Sequence, residues 1–206
     1  MDEPVIYADI EEIIDRELPQ IPGWCTPEKG KRMASLALGT QLCVELGVFG
    51  GRGLVALALP LALQGSGRAH GVDPFTAAAS IDGTNDPANN EWWSALDYEA
   101  IARSAQETLY RLDLVRHAQI IRMRSVDVVG FYRDKSVDLI HADSNHSQEI
   151  SCAEVELWAP KIKVGGFWIA DDTNWPSTQT AQKLLAERGF VRVEDHDTWA
   201  VFRKEA

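Results

Sequence analysis

Hydrophobic positions along the chain switch period in a regular way. Ile6, Ile10, Ile13, Ile14 and Leu18 fall at helical spacing with acids between them, which predicts an amphipathic first helix. After the breaker stretch Pro19 to Gly23, Thr26 followed by Pro27 and Glu28 reads as an N-cap with proline at the first helical position. A helix through about Leu38 is expected there. Leu42 to Leu46 is a short apolar run with one acid, ended by glycines, as in a buried parallel strand entering a turn. An apolar helix from about Gly53 to Leu63, ending near Pro60, and a second strand Ala69 to Asp73 complete a βαβ unit.

Pro74 to Asp97 is polar apart from Trp92 and Trp93 and reads as a long loop, a kind of segment that tends to carry function. Then follow a helix Tyr98 to Leu112, a strand Gln119 to Met123, a helix or turn Val126 to Tyr132 and a strand Val137 to Ala142. A helix Gln148 to Ala159 stops near Pro160, Gly165 and Gly166 introduce a strand Phe167 to Ala170, and Gln179 to Glu187 is a further helix. Phe190 to Glu194 and Thr198 to Phe202 alternate apolar and polar about a short turn, a β-hairpin pattern. The whole predicts an α/β fold, a Rossmann-like sheet with helices on both faces, closed by an antiparallel hairpin. At 206 residues one domain is expected over 1–206, with N-terminal helices in 1–40, a core over 41–206 and residues 74–97 as the substrate loop.

Composition narrows the function classes. With 45% hydrophobic and 25% charged residues the chain is ordinary for a globular protein. A formal charge of −11 opposes nucleic acid or an anionic membrane as the main partner, since phosphate binding needs concentrated Lys and Arg. Cys25, Cys43 and Cys152 lack CxxC spacing and read as buried, reduced packing residues, which with an acidic N-terminal stretch predicts a cytoplasmic protein. The longest apolar run, Leu54 to Leu63, is too short to span a bilayer.

Candidate chemistry begins in the loop after the first strand, where Gly47, Gly50 and Gly53 form a GxxGxxG arrangement between strand and helix. Asp73, at the end of the second strand, is placed to accept hydrogen bonds from both hydroxyls of a ribose, so the ligand is expected to carry adenosine. A nicotinamide dinucleotide is the rival, because Gly51, Gly53 and Ala56 fit GxGxx(G/A) with Asp73 about 20 residues on. Its register is poor, since Gly47 rather than Gly51 follows the strand directly. Glu45 would also repel a pyrophosphate, whereas it suits the ammonium and sulfonium of S-adenosylmethionine. Further along, Asp143 follows the fourth strand and Asp171 and Asp172 follow the fifth, so three carboxylates are expected at the edge that carries the glycine loop. Such a cluster needs a compensating cation or proton, and hard oxygen ligands suit Mg²⁺. Caps and turns explain Asp143 equally well and the Asp171–Asp172 pair poorly.

In VELGVFGGRG at 44–53, GVDPF at 71–75, SVDLIHADSNHS at 136–147 and LWAPKIKVGGFWIADDTNW at 157–175, the chain resembles class I S-adenosylmethionine-dependent methyltransferases, in particular the macrocin and mycinamicin branch of small-molecule O-methyltransferases. That resemblance implies a seven-stranded sheet ordered 3-2-1-4-5-7-6. It implies that Glu45, Gly47, Phe49 and Gly53, with Gly50 in the same loop, hold the donor's amino-acid end, that Asp73 holds its ribose, and that Arg124 and Ser125 flank the adenine. Asp143 is expected to touch donor and metal alike, with Asp171 and Asp172 as the other metal ligands and His146 as general base. His141 is expected to be a packed residue of the strand. Trp24, Trp92, Trp93 and Trp175 are candidates for a substrate wall around a sugar or natural-product hydroxyl. The apolar N-terminal helices are a candidate homo-oligomer contact. Alternatives are a metal-independent methyltransferase, an NAD-binding oxidoreductase, an oxygenase of cephalosporin-hydroxylase type using His141, His146 and Asp143 on iron, and a nucleotide-binding scaffold without turnover.

Overall fold

The computed structural model describes the backbone of residues 3–206 and the side chains of residues 8–206. Strands β1 (Leu42–Leu46), β2 (Arg68–Val72), β3 (Ala118–Ile121), β4 (Val137–Ala142), β5 (Ile162–Ala170), β6 (Phe190–Asp195) and β7 (Ala200–Lys204) form one sheet in the order β3-β2-β1-β4-β5-β7-β6. The first five run parallel, and β7 inserts antiparallel between β5 and β6. This is the Rossmann-like order that the resemblance implied.

The register brings the strands' C-terminal ends level: Leu46 lies opposite both Val72 and Ala142, and Ala142 opposite Ala170. The ladder then runs one residue past each strand. Gly47 donates to the Val72 carbonyl (2.9 Å), Asp73 to Ile121 (3.1 Å), Asp143 to Leu46 (2.8 Å) and Asp171 to Ala142 (3.1 Å). Four of the residues expected to carry chemistry, Gly47, Asp73, Asp143 and Asp171, are thus bonded into the sheet's edge by their own backbones.

Central strands bury both faces, as parallel strands require. Cys43 and Leu139 enter a core with α1 (Glu3–Glu17), α2 (Pro27–Ala37), α3 (Arg52–Leu63) and residues of Tyr98–Arg111. Val44 and Ile140 face the other core, which includes Trp158 and Leu185 from the helices Gln148–Trp158 and Gln179–Glu187. Ile10 and Ile14 of α1 and Leu18 just beyond it are buried as their spacing predicts, and Ile13 is half-buried; Ile6 lies outside the described side chains. Thr26 caps α2 by accepting the Lys29 N–H at 3.2 Å. Gly30 has no room for a side chain: a Cβ there would stand 2.5 Å from Leu18 Cδ2, so α2 lies tight against the end of α1.

Several expectations are corrected. Residues 74–97 are not a plain loop but carry α4 (Ala77–Ser80) and α5 (Pro87–Ser94) ahead of α6 (Tyr98–Arg111). Asp86 accepts from the N–H of Ala88 and Asn89 with Pro87 at the first helical position, the same cap-and-proline signal as Thr26–Pro27, hidden in a polar run. α3 ends at Leu63 as expected, with Pro60 inside its last turn rather than at its end. β5 starts at Ile162, not Phe167; Gly165 and Gly166 lie inside it, at a register slip against β4 between Val137 and Leu139. A Cβ on Gly166 would meet the Asp138 carbonyl at 2.7 Å, so the glycines serve an irregularity within the strand rather than its start. Val126 to Tyr132 resolves into α7 (Ser125–Val128) and a 3₁₀ turn, followed later by α8 (Gln148–Trp158) and α9 (Gln179–Glu187). Cys25 and Cys43 are buried, but Cys152 is only partly so. Among the described residues no helix is long and apolar enough to cross a membrane.

Candidate functional site

At the C-terminal edge of β1, the chain turns through Gly47 (φ +86°), where a Cβ would come within 2.1 Å of the Asp143 carbonyl oxygen. Only a glycine lets the loop after β1 lie so close to the loop after β4. A Cβ on Gly53 would stand 1.8 Å from Glu45 Oε1, so that glycine opens the floor of the loop to the Glu45 carboxyl. The Asp73 carboxylate fastens the same loop: Oδ2 accepts from the N–H of Val48 (2.9 Å) and Phe49 (3.1 Å), and Oδ1 from Phe75 (2.7 Å). Burial raises its pKa against those three donors. Asp73 therefore has a structural duty that its position after β2 did not announce.

Behind the loop, Glu45 is 1% exposed and its Oε1 lies 3.0 Å from Nδ1 of fully buried His141. Burial, reinforced by the Asp143 charge, pushes the Glu45 carboxyl well above its usual range. Burial and the Lys29 ammonium push His141 well below the usual imidazole range. Glu45 Oε2 and His141 Nε2 are both buried with no hydrogen-bond partner in the protein. Orphans of this kind are costly and mark where a ligand's donors belong.

His141 Nε2 is aimed at the acids, 4.0 Å from Asp143 Oδ2 and 3.9 Å from Asp171 Oδ2. Ligand atoms of these three residues lie within 4.8 Å of one another, a grouping that takes in His141 and leaves out Asp172. Into this group comes a cation that the sequence reading missed. Lys29, 3% exposed, bonds Asp171 Oδ2 through its Nζ. Burial would lower the pKa of this lysine, but the charges of Asp143 and Asp171 outweigh it and raise it. Asp171, despite its burial, is held below the ordinary carboxylate range by Lys29. Burial and the Asp171 charge push Asp143 the other way, upward.

On the outer side stands His146, with Nε2 3.2 Å from Asp172 Oδ2 and 3.5 Å from Asp143 Oδ1. Burial opposes its charged form, yet these neighbouring carboxylates prevail and raise its pKa. The Trp175 ring packs on the imidazole at 5.5 Å.

A cavity of about 840 Å³ joins these parts, and every predicted site residue except Gly50 lines it. Gly50 packs instead against the N-terminal segment, where its Cβ would be 2.1 Å from the Pro22 carbonyl. Trp24, Trp92 and Trp93 cluster with Phe49 at one wall, with ring centroids 4.8–6.1 Å apart, while Trp175 stands apart beside His146. Arg124 pairs with Asp82 of the α4–α5 segment at 2.8 Å, and Ser125 is buried beside it. Asn145, between Asp143 and His146, lies with its Nδ2 within 2.9–3.0 Å of the carbonyls of Ala79, Ser80 and Asp82. Its Oδ1 accepts from Ser147 N–H at 2.8 Å. The hairpin turn also reaches the cavity, through His196 stacked on Trp199 at 3.6 Å.

A family model described as a methyltransferase domain matches residues 44–173. No curated protein matches the chain. Among solved structures the chain is similar to the O-methyltransferase NovP, with a TM-score of 0.76, 11% identity and 100% of both chains covered. It is also similar to a SAM-dependent O-methyltransferase from Thermotoga maritima, with a TM-score of 0.66, 15% identity, and 96% of this chain and 71% of that one covered. A methyltransferase from Geobacter sulfurreducens gives a TM-score of 0.61 at 15% identity, with 100% of this chain and 91% of that one covered. At these identities the likeness carries the fold.

Proposed function

Because the chain belongs to the methyltransferase-domain family, we propose that it transfers the methyl group of S-adenosylmethionine to a hydroxyl of a small-molecule acceptor, with His146 as general base. One observation carries this reading: the glycine loop with the orphaned Glu45 Oε2 and the His146–Asp172 pair open into the same cavity. The donor, when bound, supplies an electrophilic methyl on its sulfonium and leaves as S-adenosylhomocysteine.

Each of the chain's own groups then has a task. Glu45 Oε2 accepts the donor's ammonium, a charge that a pyrophosphate would not bring, which separates this reading from the dinucleotide one. Asp73 Oδ1, which accepts from Phe75 alone while Oδ2 holds the loop, keeps a lone pair for the ribose. Arg124 and Ser125 close the adenine side. The tryptophans Trp24, Trp92 and Trp93 exclude water and offer flat apolar faces to a sugar or other natural-product ring. His146, when neutral, takes the hydroxyl proton as the oxygen attacks in line, and Asp172, 3.2 Å from its Nε2, steadies the imidazolium that results.

A divalent metal on Asp143, Asp171 and Asp172, which the resemblance implies, would meet an ammonium already bonded to Asp171 Oδ2 and an imidazole already on Asp172. The residues present do not fit it, nor do they fit an iron site on His141, His146 and Asp143 beside the same ammonium.

Calorimetric titration with S-adenosylhomocysteine and with NAD tests the reading, followed by an acceptor screen with S-adenosylmethionine. Micromolar binding of the first alone is expected, with turnover lost in His146→Ala by about 10²–10⁴-fold at unchanged donor-product affinity. Binding of NAD alone sinks it.

A further inference from the structure

We propose that Lys29 is the resident cation of this site: from within the chain it supplies the positive charge that holds Asp143 and Asp171 together beside the acceptor, so that methyl transfer runs without a divalent metal. The proposal rests on the methyltransferase reading and concerns how its acceptor side is held. Lys29 enters from the first turn of α2, and its side chain is only 4% exposed at the Nζ–Asp171 Oδ2 contact. An ammonium so far from water is kept charged by the acids it faces, and they in turn by it.

The carboxylate oxygen that it takes decides the matter. Asp171 Oδ2 is the same atom that faces His141 Nε2 at 3.9 Å, while Oδ1 accepts the Asp172 N–H at 3.0 Å, so a metal among His141, Asp143 and Asp171 would draw on Oδ2. Lysine and metal therefore compete for one ligand atom and repel each other across it. The lysine has the advantage of a fixed backbone: Thr26 caps its N–H at 3.2 Å, and the absent side chain of Gly30 seats α2 against Leu18. A tethered cation is also present at every turnover and cannot be chelated away. Acting through Asp171 and Asp143, Lys29 is a positioning residue.

Titration of the whole chain with MnCl₂ by calorimetry, with Lys29→Met and Lys29→Arg beside the wild type and S-adenosylhomocysteine binding measured on each sample, tests this. The wild type and Lys29→Arg are expected to take up no stoichiometric Mn²⁺. Lys29→Met is expected to gain a site at least about tenfold tighter, lost again in Lys29→Met/Asp143→Asn. Stoichiometric Mn²⁺ binding by the wild type that disappears in Asp143→Asn overturns the proposal, whether or not Lys29→Met folds. A folded Lys29→Met that binds S-adenosylhomocysteine yet gains no Mn²⁺ site overturns it too. Binding of S-adenosylhomocysteine keeps the two readings apart: a metal-binding wild type that also binds it refutes the role of Lys29 and leaves the methyltransferase standing.

Discussion

His146 holds its proton against a carboxylate on either side, and that arrangement sets the pH at which it can act as a base. Its pKa is raised, chiefly because Asp143 and Asp172 overcome the effect of burial, and a base works only when neutral. Rates should therefore climb with pH through a limb lying above the ordinary imidazole value of about 6.5. Asp172→Asn removes one of the carboxylates and should move that limb to lower pH in a kcat profile; an unmoved limb would assign it to another group. The acids were legible in the sequence because each follows a strand end, and His146 only through the resemblance. Lys29 was not, since PEKGKR reads as the solvated first turn of a helix, and only packing of α2 against the sheet edge buries it. The Glu45–His141 contact was equally hidden, because it joins residues of neighbouring strands 96 positions apart.

Two loops meet through Asn145, whose amide nitrogen faces three carbonyls of the α4–α5 segment from within the stretch that carries His146. Asn145→Ala should leave the fold intact, speed amide exchange across residues 76–97 and raise the acceptor KM several-fold; unchanged exchange there would remove the clamp. Asp138 does comparable work at the opposite edge, where Oδ2 accepts from the N–H of Gln41 and Leu42 at 2.9 Å each and Oδ1 binds Lys163 at 2.6 Å. Burial would raise its pKa, but these partners win and lower it. Its stabilisation is thus present above the unfolded value of about 3.9 and lost as pH falls through the depressed folded value. Asp138→Ala should cost about 1–3 kcal/mol in denaturant unfolding at pH 7, and the gap from wild type should close in acid. Elements whose signals are local were read to the residue: β1, β4 and α9 have the expected bounds. β5 was cut short because paired glycines read as a boundary, and α5 was overlooked because Asp86–Pro87 lies among other polar residues.

Across the molecule, the alternation of helix and strand announced a parallel sheet, and the change of period after Phe190 announced its hairpin. The order β3-β2-β1-β4-β5-β7-β6 is another matter: periodicity is blind to which strands become neighbours, and the order was foreseen only through resemblance. The one-residue continuation of the ladder at Gly47, Asp73, Asp143 and Asp171 ties the site to the sheet in a way that bears on how the protein dies with heat. At these four residues the reactive edge is held by the same hydrogen-bond ladder as the strands. Loss of S-adenosylhomocysteine binding on warming should coincide with loss of the far-ultraviolet circular dichroism signal, one midpoint for both; an earlier loss of binding would mean that the edge melts first. Inactivation and unfolding would then be a single event, so the sheet's own lifetime would serve as the clock of the catalyst.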